Sequence, residues 1–253
     1  MGQQVLNMPD DLRIVRDQWL WDEFFTYTTG GVWTSLIGGT ATVGLGAGPP
    51  SQVALNTLAV LGQEAGIFAT NKFWQFGANK RLRFTTRINA QEANVNNLSI
   101  FAGFTSMNTT GLVTSTNPNA LNGNFTGAGF FLPSGSTNWS CALSIGTTQQ
   151  IIPSVEAAVP AGDQELSVDI QIVGAGLEVS YWAGTAEPAG GADSVAPIKA
   201  QLCRDTSGRP SSWIKNRLPY AGALAMTGGV YIRNCSATAE TARVDYVGLQ
   251  TLR

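Results

Sequence analysis

The sequence contains no histidine among its 253 residues. Histidine is the commonest general base of enzymes and the commonest zinc ligand of proteins. Without it, neither a Ser-His-Asp triad nor a Cys-His dyad can be built. The absence therefore removes two large classes of hydrolase from consideration.

Cysteine is also scarce. Cys141, Cys203 and Cys235 are isolated from one another, and no Cys-x-x-Cys pair occurs, which argues against a metal cluster. An odd number fits a reduced cytosolic origin better than a framework of disulfides. One pair could still close in the fold, and the sequence leaves that open.

Charged residues make up only 13% of the chain, and the net charge is −2. Proteins that bind nucleic acid normally carry a basic surface, so we expect no nucleic-acid partner. No stretch approaches 18 uncharged apolar residues, and the N-terminus lacks a basic region followed by an apolar run. We therefore expect neither a membrane span nor a secretory signal, and no membrane partner.

Catalytic and cofactor-binding patterns are missing as well. No Glu-x-Asp-x-Glu run occurs, and Gly44-Leu-Gly-Ala-Gly48 leads into two prolines instead of a helix. Glu165 and Asp169 share one face of a predicted strand, where we expect solvent to cover them. The prediction is a protein that is not an enzyme, with no catalytic residue, no cofactor and no metal.

What the chain does have is glycine, 29 residues of it, and strict alternation of apolar and polar side chains. Apolar residues recur at every second position in residues 80–90 and again in 98–104, which is the period of a strand with one buried face. Phe101 is apolar on the opposite face, which predicts that the second strand is covered on both sides. A short polar link joins the two strands, so they read as an antiparallel pair in the middle of a sheet.

Further alternation occurs in residues 165–173, and glycines turn this strand into residues 177–182. About a dozen strands and no helix are expected. The predicted fold class is all-β, an antiparallel β-sandwich of jelly-roll type with an extended N-terminal arm. Residues 18–253 are expected to form one domain with two long loops, at 107–127 and 184–218, the first of them on the surface.

The N-terminal residues 1–17 carry too many apolar side chains for a solvated tail. These are Val5, Leu6, Leu12, Ile14 and Val15. Two interpretations remain open. The segment either adds an edge strand to its own domain, or forms an arm that docks on a neighbouring subunit, which would make these five residues interface candidates.

Seven tryptophans raise the question of sugar binding, because indole rings stack on sugars. Trp19, Trp21, Trp33 and Trp182 lie in apolar strands, where core packing is expected. Trp139 and especially Trp213, which lies near Arg209 in the second loop, are the candidates for exposed contact. Three arginines on one strand face, Arg81, Arg83 and Arg87, form a basic stripe that we expect to face acidic neighbours.

Three stretches of the chain form a recognisable set, namely Trp21-Asp-Glu-Phe-Phe25 with the Val32-Trp33 pair, residues 79–88 leading to 98–104, and Arg243-Val-Asp-Tyr-Val247. In these stretches the chain resembles a group of tailed-bacteriophage virion proteins. The resemblance covers residues 21–106 and 165–253. The group looks like concanavalin or laminin-G-type β-sandwiches that decorate or cement the capsid.

The resemblance implies a structural virion protein that stabilises a bacteriophage capsid by bridging major capsid protein subunits. It implies a homotrimer on the outer capsid surface, made in the host cytoplasm, and it supplies no catalytic residues. A carbohydrate-binding module of a phage tail fibre or host-recognition protein is the alternative, because carbohydrate modules use the same scaffold.

Overall fold

The computed structural model describes thirteen stretches of the chain. They are residues 19–22, 31–46, 52–70, 74–75, 81–91, 97–114, 120–158, 162–173, 176–185, 201–204, 206–208, 214–216 and 225–252. Within them the chain folds into two antiparallel sheets, which confirms the predicted all-β sandwich. These stretches contain no helix, and so none that is long and apolar enough to cross a membrane.

Sheet A has the strand order β14-β13-β12-β7-β17-β4-β3, with β1 paired to β17 and β15 to β13. Its strands are β1 (Trp19–Asp22), β3 (Thr42–Leu45), β4 (Val53–Thr57), β7 (Arg81–Gln91), β12 (Asp163–Val173), β13 (Gly176–Thr185), β14 (Gln201–Leu202), β15 (Ile214–Asn216) and β17 (Glu240–Leu252).

Sheet B has the order β11-β10-β9-β8-β16-β5-β2, with β6 paired to β16. Its strands are β2 (Trp33–Gly38), β5 (Glu64–Ala69), β6 (Trp74–Gln75), β8 (Leu98–Thr105), β9 (Gly127–Leu132), β10 (Asn138–Ile145), β11 (Thr148–Ala157) and β16 (Ala225–Asn234).

The predicted pairing of the two alternating strands is wrong. β7 lies in the middle of sheet A and β8 in the middle of sheet B, so they face each other across the core instead of sharing hydrogen bonds. The rings of Phe84 and Phe104 meet edge to face at 6.1 Å between centroids. Alternation indicates only that one face of a strand is buried. The same pattern arises whether the following strand pairs with it in a hairpin or lies in the facing sheet.

Two other local predictions are confirmed. β12 pairs with β13 along its whole length, as the glycine turn between them suggested. The apolar residues on the inner face of this hairpin enter the core between the sheets, among them Leu166, Val168 and Val179.

A second, smaller core covers the outer face of sheet B. Phe101 does lie on the opposite face of β8, as predicted, and β8 is buried along its whole length. Residues 107–114 and 120–126, which belong to the loop predicted at 107–127, fold over this face. The cover contributes Leu112, Val113, Leu121 and Phe125 to the second core. Isolated apolar residues among Asn, Thr and Gly carry no period, which is why the sequence pattern did not reveal the packing.

Glycines make the second core possible. Gly229, Gly103 and Gly129 lie side by side on the neighbouring strands β16, β8 and β9. Without side chains they leave room for aromatic rings on the sheet, since a Cβ at Gly129 would lie 2.7 Å from Cζ of Phe101. This close approach of a ring to the backbone is one of the uses of glycine inside a strand.

Candidate functional site

The interface residues predicted from the sequence lie outside the described part of the chain. This holds for Val5, Leu6, Leu12, Ile14 and Val15 of the arm, and for Trp213 and Arg209 of the second loop. Both sets stay predictions. A contact surface has to be sought among the described residues.

Two tryptophan assignments are corrected. Trp139 is fully buried and donates its Nε1–H to Oε1 of Gln164 at 2.7 Å, so it is not an exposed contact. Trp182 follows the inward-facing Tyr181 and therefore lies half-buried on the outer face of sheet A, not in the core. Trp33 is buried in the core, as predicted.

The outer face of sheet A is a network of paired polar side chains. Arg81 and Arg83 both hold the carboxylate of Asp169, with Nη2–Oδ2 distances of 2.5 and 2.8 Å. The arginine side chains are 43% and 41% exposed, whereas Asp169 is only 4% exposed. The prediction that the arginine stripe faces acidic neighbours is confirmed. The expectation that solvent covers Asp169 is wrong, because the two guanidinium groups lie over it.

Arg87 of β7 extends this network to the neighbouring strand β17. Its guanidinium contacts Asp245 at 3.2 Å and lies 5.7 Å from the ring centroid of Tyr246. Burial raises the pKa of Tyr246, and the negative charge of Glu165 raises it further. Tyr246 therefore stays a neutral hydrogen-bonding group across the physiological pH range.

Further cross-strand hydrogen bonds fill the same face. The Thr85 and Ser167 hydroxyls are 3.2 Å apart, and the Asn89 amide donates to Asp163 at 3.0 Å. The three arginines of the stripe are thus paired with carboxylates. Among the described residues, no group of three or more His, Cys, Asp and Glu could hold a metal ion. A surface of paired hydrogen-bonding groups suits contact with another polar surface.

An exposed apolar surface, in contrast to this polar face, lies along one side of the sandwich. We use the name apolar edge strip for five exposed aliphatic residues, namely Ile37, Leu45, Leu58, Val60 and Leu61. Their exposure ranges from 49% for Leu58 to 68% for Leu61. They belong to the edge strands β2 and β3, which contact each other, and to the turn that joins β4 and β5.

A single exposed leucine needs no explanation, but a concentration on one side does. In the part of the chain that the structure describes, no strand pairs with the outer sides of β2 and β3. The apolar edge strip thus lies on the outermost strands that the structure describes in the two sheets. Residues 58–61 did carry a signal, an apolar run ending at Gly62, but a short apolar run of this kind is equally typical of a buried strand.

The outer face of sheet B carries the cover formed by residues 107–114 and 120–126, and a buried ion pair contacts this cover. Arg233 and Glu64 lie side by side on β16 and β5 and form a salt bridge. Glu64 Oε2 also accepts the backbone N–H of Gly111 at 2.8 Å, and both charged residues are buried. The cover is thereby attached to the sheet by charge-assisted hydrogen bonds.

Comparisons with known proteins bear on the fold. No family model matches this sequence, and no curated protein matches it. Among solved structures, peanut lectin with a 9mer peptide superposes with a TM-score of 0.55 at 9% identity, over 93% of this chain and 97% of the lectin. Arcelin-5, a lectin-like defense protein from Phaseolus vulgaris, gives 0.52 at 8% identity over 94% and 99% of the two chains.

The carbohydrate recognition domain of Emp47p gives a TM-score of 0.50 at 10% identity, over 93% of this chain and 94% of that domain. Identities this low are informative about architecture alone. The chain has the concanavalin-like jelly-roll fold that these lectins and lectin-like proteins share.

Proposed function

We propose that this protein is a structural component of a bacteriophage virion, which decorates the outer capsid surface and bridges major capsid protein subunits. The observation that carries the proposal is the apolar edge strip. It offers exposed aliphatic side chains on the outermost described strands of a sandwich whose described part holds no group of three or more His, Cys, Asp and Glu that could bind a metal ion. Such a surface is suited to lasting contact with another protein.

The remaining features fit a rigid, non-catalytic building block. Sheet B is covered, and the side chains on the outer face of sheet A pair with one another. We include in the proposal a homotrimeric assembly, because contact at a symmetry axis of a shell favours closed cyclic oligomers. The N-terminal arm, through Val5, Leu6, Leu12, Ile14 and Val15, would attach each copy to its neighbour.

The test places charge in the apolar edge strip. Val60→Glu with Leu61→Glu changes two exposed residues of a turn, so the fold should stay intact. Binding to capsids assembled without this protein is expected to weaken roughly tenfold or more, because the charges must lose water on contact. Binding is measured by co-sedimentation, the oligomeric state by light scattering, and the occupied sites by a cryo-EM map.

The matched control is Ile151→Glu. Ile151 is also an exposed aliphatic residue, 41% exposed, but it lies on β11 at the opposite edge of sheet B. This variant should bind like the unmodified protein. Equal binding by all three proteins would reject the strip as the capsid contact, and absence of the protein from the virion map would reject the proposed function.

Carbohydrate binding is the second candidate, and the outer face of sheet A favours it. Trp182 lies beside Ser167, which in turn neighbours Thr85, so an indole and two hydroxyl groups share one row of the sheet. An aromatic face with nearby hydroxyls is the usual composition of a sugar-binding surface. Two of the structurally similar proteins are named as a lectin and as a carbohydrate recognition domain.

A glycan array separates the two candidates. If the protein binds saccharides through sheet A, Trp182→Ala should abolish most of the signal, since stacking on the indole is lost, and Ile151→Ala should leave it unchanged. A protein that binds no glycan on the array but coats capsids supports the structural role alone. Glycan binding that survives Trp182→Ala would contradict the assignment to sheet A.

A further inference from the structure

The sequence contains one Asn-Gly dipeptide, Asn122-Gly123, and the structure places it in the cover of sheet B. Asparagine is among the chemically labile residues of proteins. It loses its side-chain amide when the backbone nitrogen of the next residue attacks the amide carbon. Glycine as that next residue favours the reaction, because it has no side chain to hinder the approach and gives the backbone more freedom to turn. Gly123 is exposed, and a Cβ there would have no atom within 4 Å.

Asn122 holds the two parts of the cover together. Its side-chain Nδ2–H donates to the carbonyl of Gly111 at 3.0 Å, and its Oδ1 accepts the backbone N–H of Asn124 at 2.9 Å. Its backbone N–H donates to the carbonyl of Leu112 at 2.8 Å, and its backbone carbonyl accepts the side-chain amide of Gln149 at 2.6 Å. One residue thus links both parts of the cover to each other and to β11.

Gly111 connects Asn122 to the buried ion pair. Its carbonyl accepts the Asn122 amide, while its N–H donates to Oε2 of Glu64 at 2.8 Å. Leu121 and Phe125, on either side of Asn122 in the sequence, are packed in the second core. The labile amide is therefore hydrogen-bonded through both its oxygen and its nitrogen, in a segment that a buried carboxylate and apolar side chains attach to the sheet.

We propose that Asn122 is a deamidation site that is protected while the cover is closed and reacts when the cover opens. The backbone nitrogen of Gly123 bonds to the side-chain carbon of Asn122, and its proton leaves with the former Nδ2 as ammonia, so that a succinimide ring closes. Water then adds to either ring carbonyl and opens the ring, which gives aspartate or isoaspartate at position 122. Water is the only co-reactant. The inference does not depend on the proposed function.

The hydrogen bonds of the amide are the reason for the protection. Attack on the amide carbon changes it from planar to tetrahedral, which displaces both Oδ1 and Nδ2. In the closed cover this displacement breaks the bonds to Asn124 and Gly111. The part-buried carbonyl of Gly111 would then lose this donor, which costs free energy. The reaction should therefore proceed through molecules in which the cover is open, at a rate proportional to their population.

The product should hold the cover less firmly. A carboxylate at position 122 cannot donate to the Gly111 carbonyl, and it sets a negative oxygen against another acceptor. Isoaspartate also adds a methylene group to the backbone, next to the place where Leu121 pairs with Val113 across the cover. Because ammonia is lost, the change is permanent, and the fraction of protein with a loosened cover should grow with age.

The test incubates the full chain at mildly alkaline pH and measures the conversion of Asn122 by peptide mapping with mass spectrometry. We expect conversion to be roughly tenfold or more faster in guanidinium chloride than in the folded protein, because the denatured chain has no cover to open. Folded Glu64→Ala should convert roughly fivefold or more faster than the unmodified protein, because it loses the acceptor of the Gly111 N–H. Circular dichroism checks its fold, and Gln149→Ala, which removes the bond to β11, takes its place if Glu64→Ala does not fold.

Two matched variants separate the chemistry from its structural effect. Gly123→Ala has space for its Cβ and should suppress conversion of Asn122 in folded and denatured protein alike. Asn122→Asp reproduces one product and should speed hydrogen exchange in residues 107–114 and 120–126. Asn124→Asp adds the same charge at an exposed position two residues away and should leave exchange unchanged.

Three results would overturn the proposal. The first is equal conversion of Asn122 in folded and denatured protein, which would show that the cover gives no protection. The second is conversion that occurs only at other asparagines. The third is the same hydrogen exchange in Asn122→Asp as in the unmodified protein, which would show that the amide does not hold the cover.

Discussion

Replacing Glu64 by alanine is expected to lower the free energy of unfolding by about 3–5 kcal/mol. The substitution leaves the guanidinium of Arg233 buried without its carboxylate, and an uncompensated buried charge is among the costliest defects of a core. It also removes the acceptor of the Gly111 N–H, which attaches the cover to sheet B. Denaturant unfolding measures the loss, and hydrogen exchange at Gly111 measures the opening of the cover.

Two further variants make this prediction specific. The double change Glu64→Leu with Arg233→Met replaces the pair by apolar side chains and should recover most of the lost stability. Arg83→Ala removes one partner of Asp169 on the outer face of sheet A, where Arg81 still holds the carboxylate. Because the Arg83 side chain is 41% exposed and Asp169 keeps its contact with Arg81, the loss should cost at most about 1 kcal/mol. Equal losses of unfolding free energy for Glu64→Ala and Arg83→Ala would contradict the prediction, because the ion pair beneath the cover would then contribute no more to stability than the Arg83–Asp169 pair.

Gly229→Ala is the second substitution with a large expected effect, a loss of roughly 3 kcal/mol or more. Gly229 lies on β16 at the centre of sheet B. A Cβ there would overlap the carbonyl oxygen of Ile67 on β5 and would lie 2.6 Å from Cδ1 of Phe68. The first obstacle is backbone, so the strands themselves would have to move apart.

Gly44→Ala is the matched control for this substitution. Gly44 is also a strand residue, on β3, but a Cβ there would have no atom within 4 Å. Since alanine restricts the unfolded chain more than glycine does, this variant should have unchanged or slightly higher stability, within about 1 kcal/mol. If the two variants unfold at the same denaturant concentration, the close approach of β16 and β5 is not what selects glycine at position 229.

Local rules were enough to predict strands β7, β8, β12 and β13 and most of their buried faces. In β7 the alternation from Leu82 to Ala90 places every second residue in the core, as predicted, and the polar residues between them form the arginine stripe. The hairpin of β12 and β13 was predictable because a glycine turn joins two alternating strands. These features depend on side-chain direction and turn chemistry, which a short segment contains by itself.

The candidate surfaces were less accessible to the same reasoning. Trp182 was assigned to the core and Trp139 to the surface, and the structure reverses both. Trp182 has apolar neighbours in the sequence and Trp139 has polar ones. The direction in which each side chain points from its strand, however, decides whether it is exposed. The apolar edge strip combines residues of two edge strands and one turn, so no single segment reveals it.

The sequence alone determined that this chain is all-β, that it has no histidine chemistry, and which residues of its alternating strands are buried. Only the tertiary structure decided that β7 and β8 lie in different sheets and that residues 107–114 and 120–126 cover sheet B. The division has a physical reason. Alternation is a property of one strand, whereas strand partners, covers and contacts between sheets depend on how all strands together bury their apolar faces.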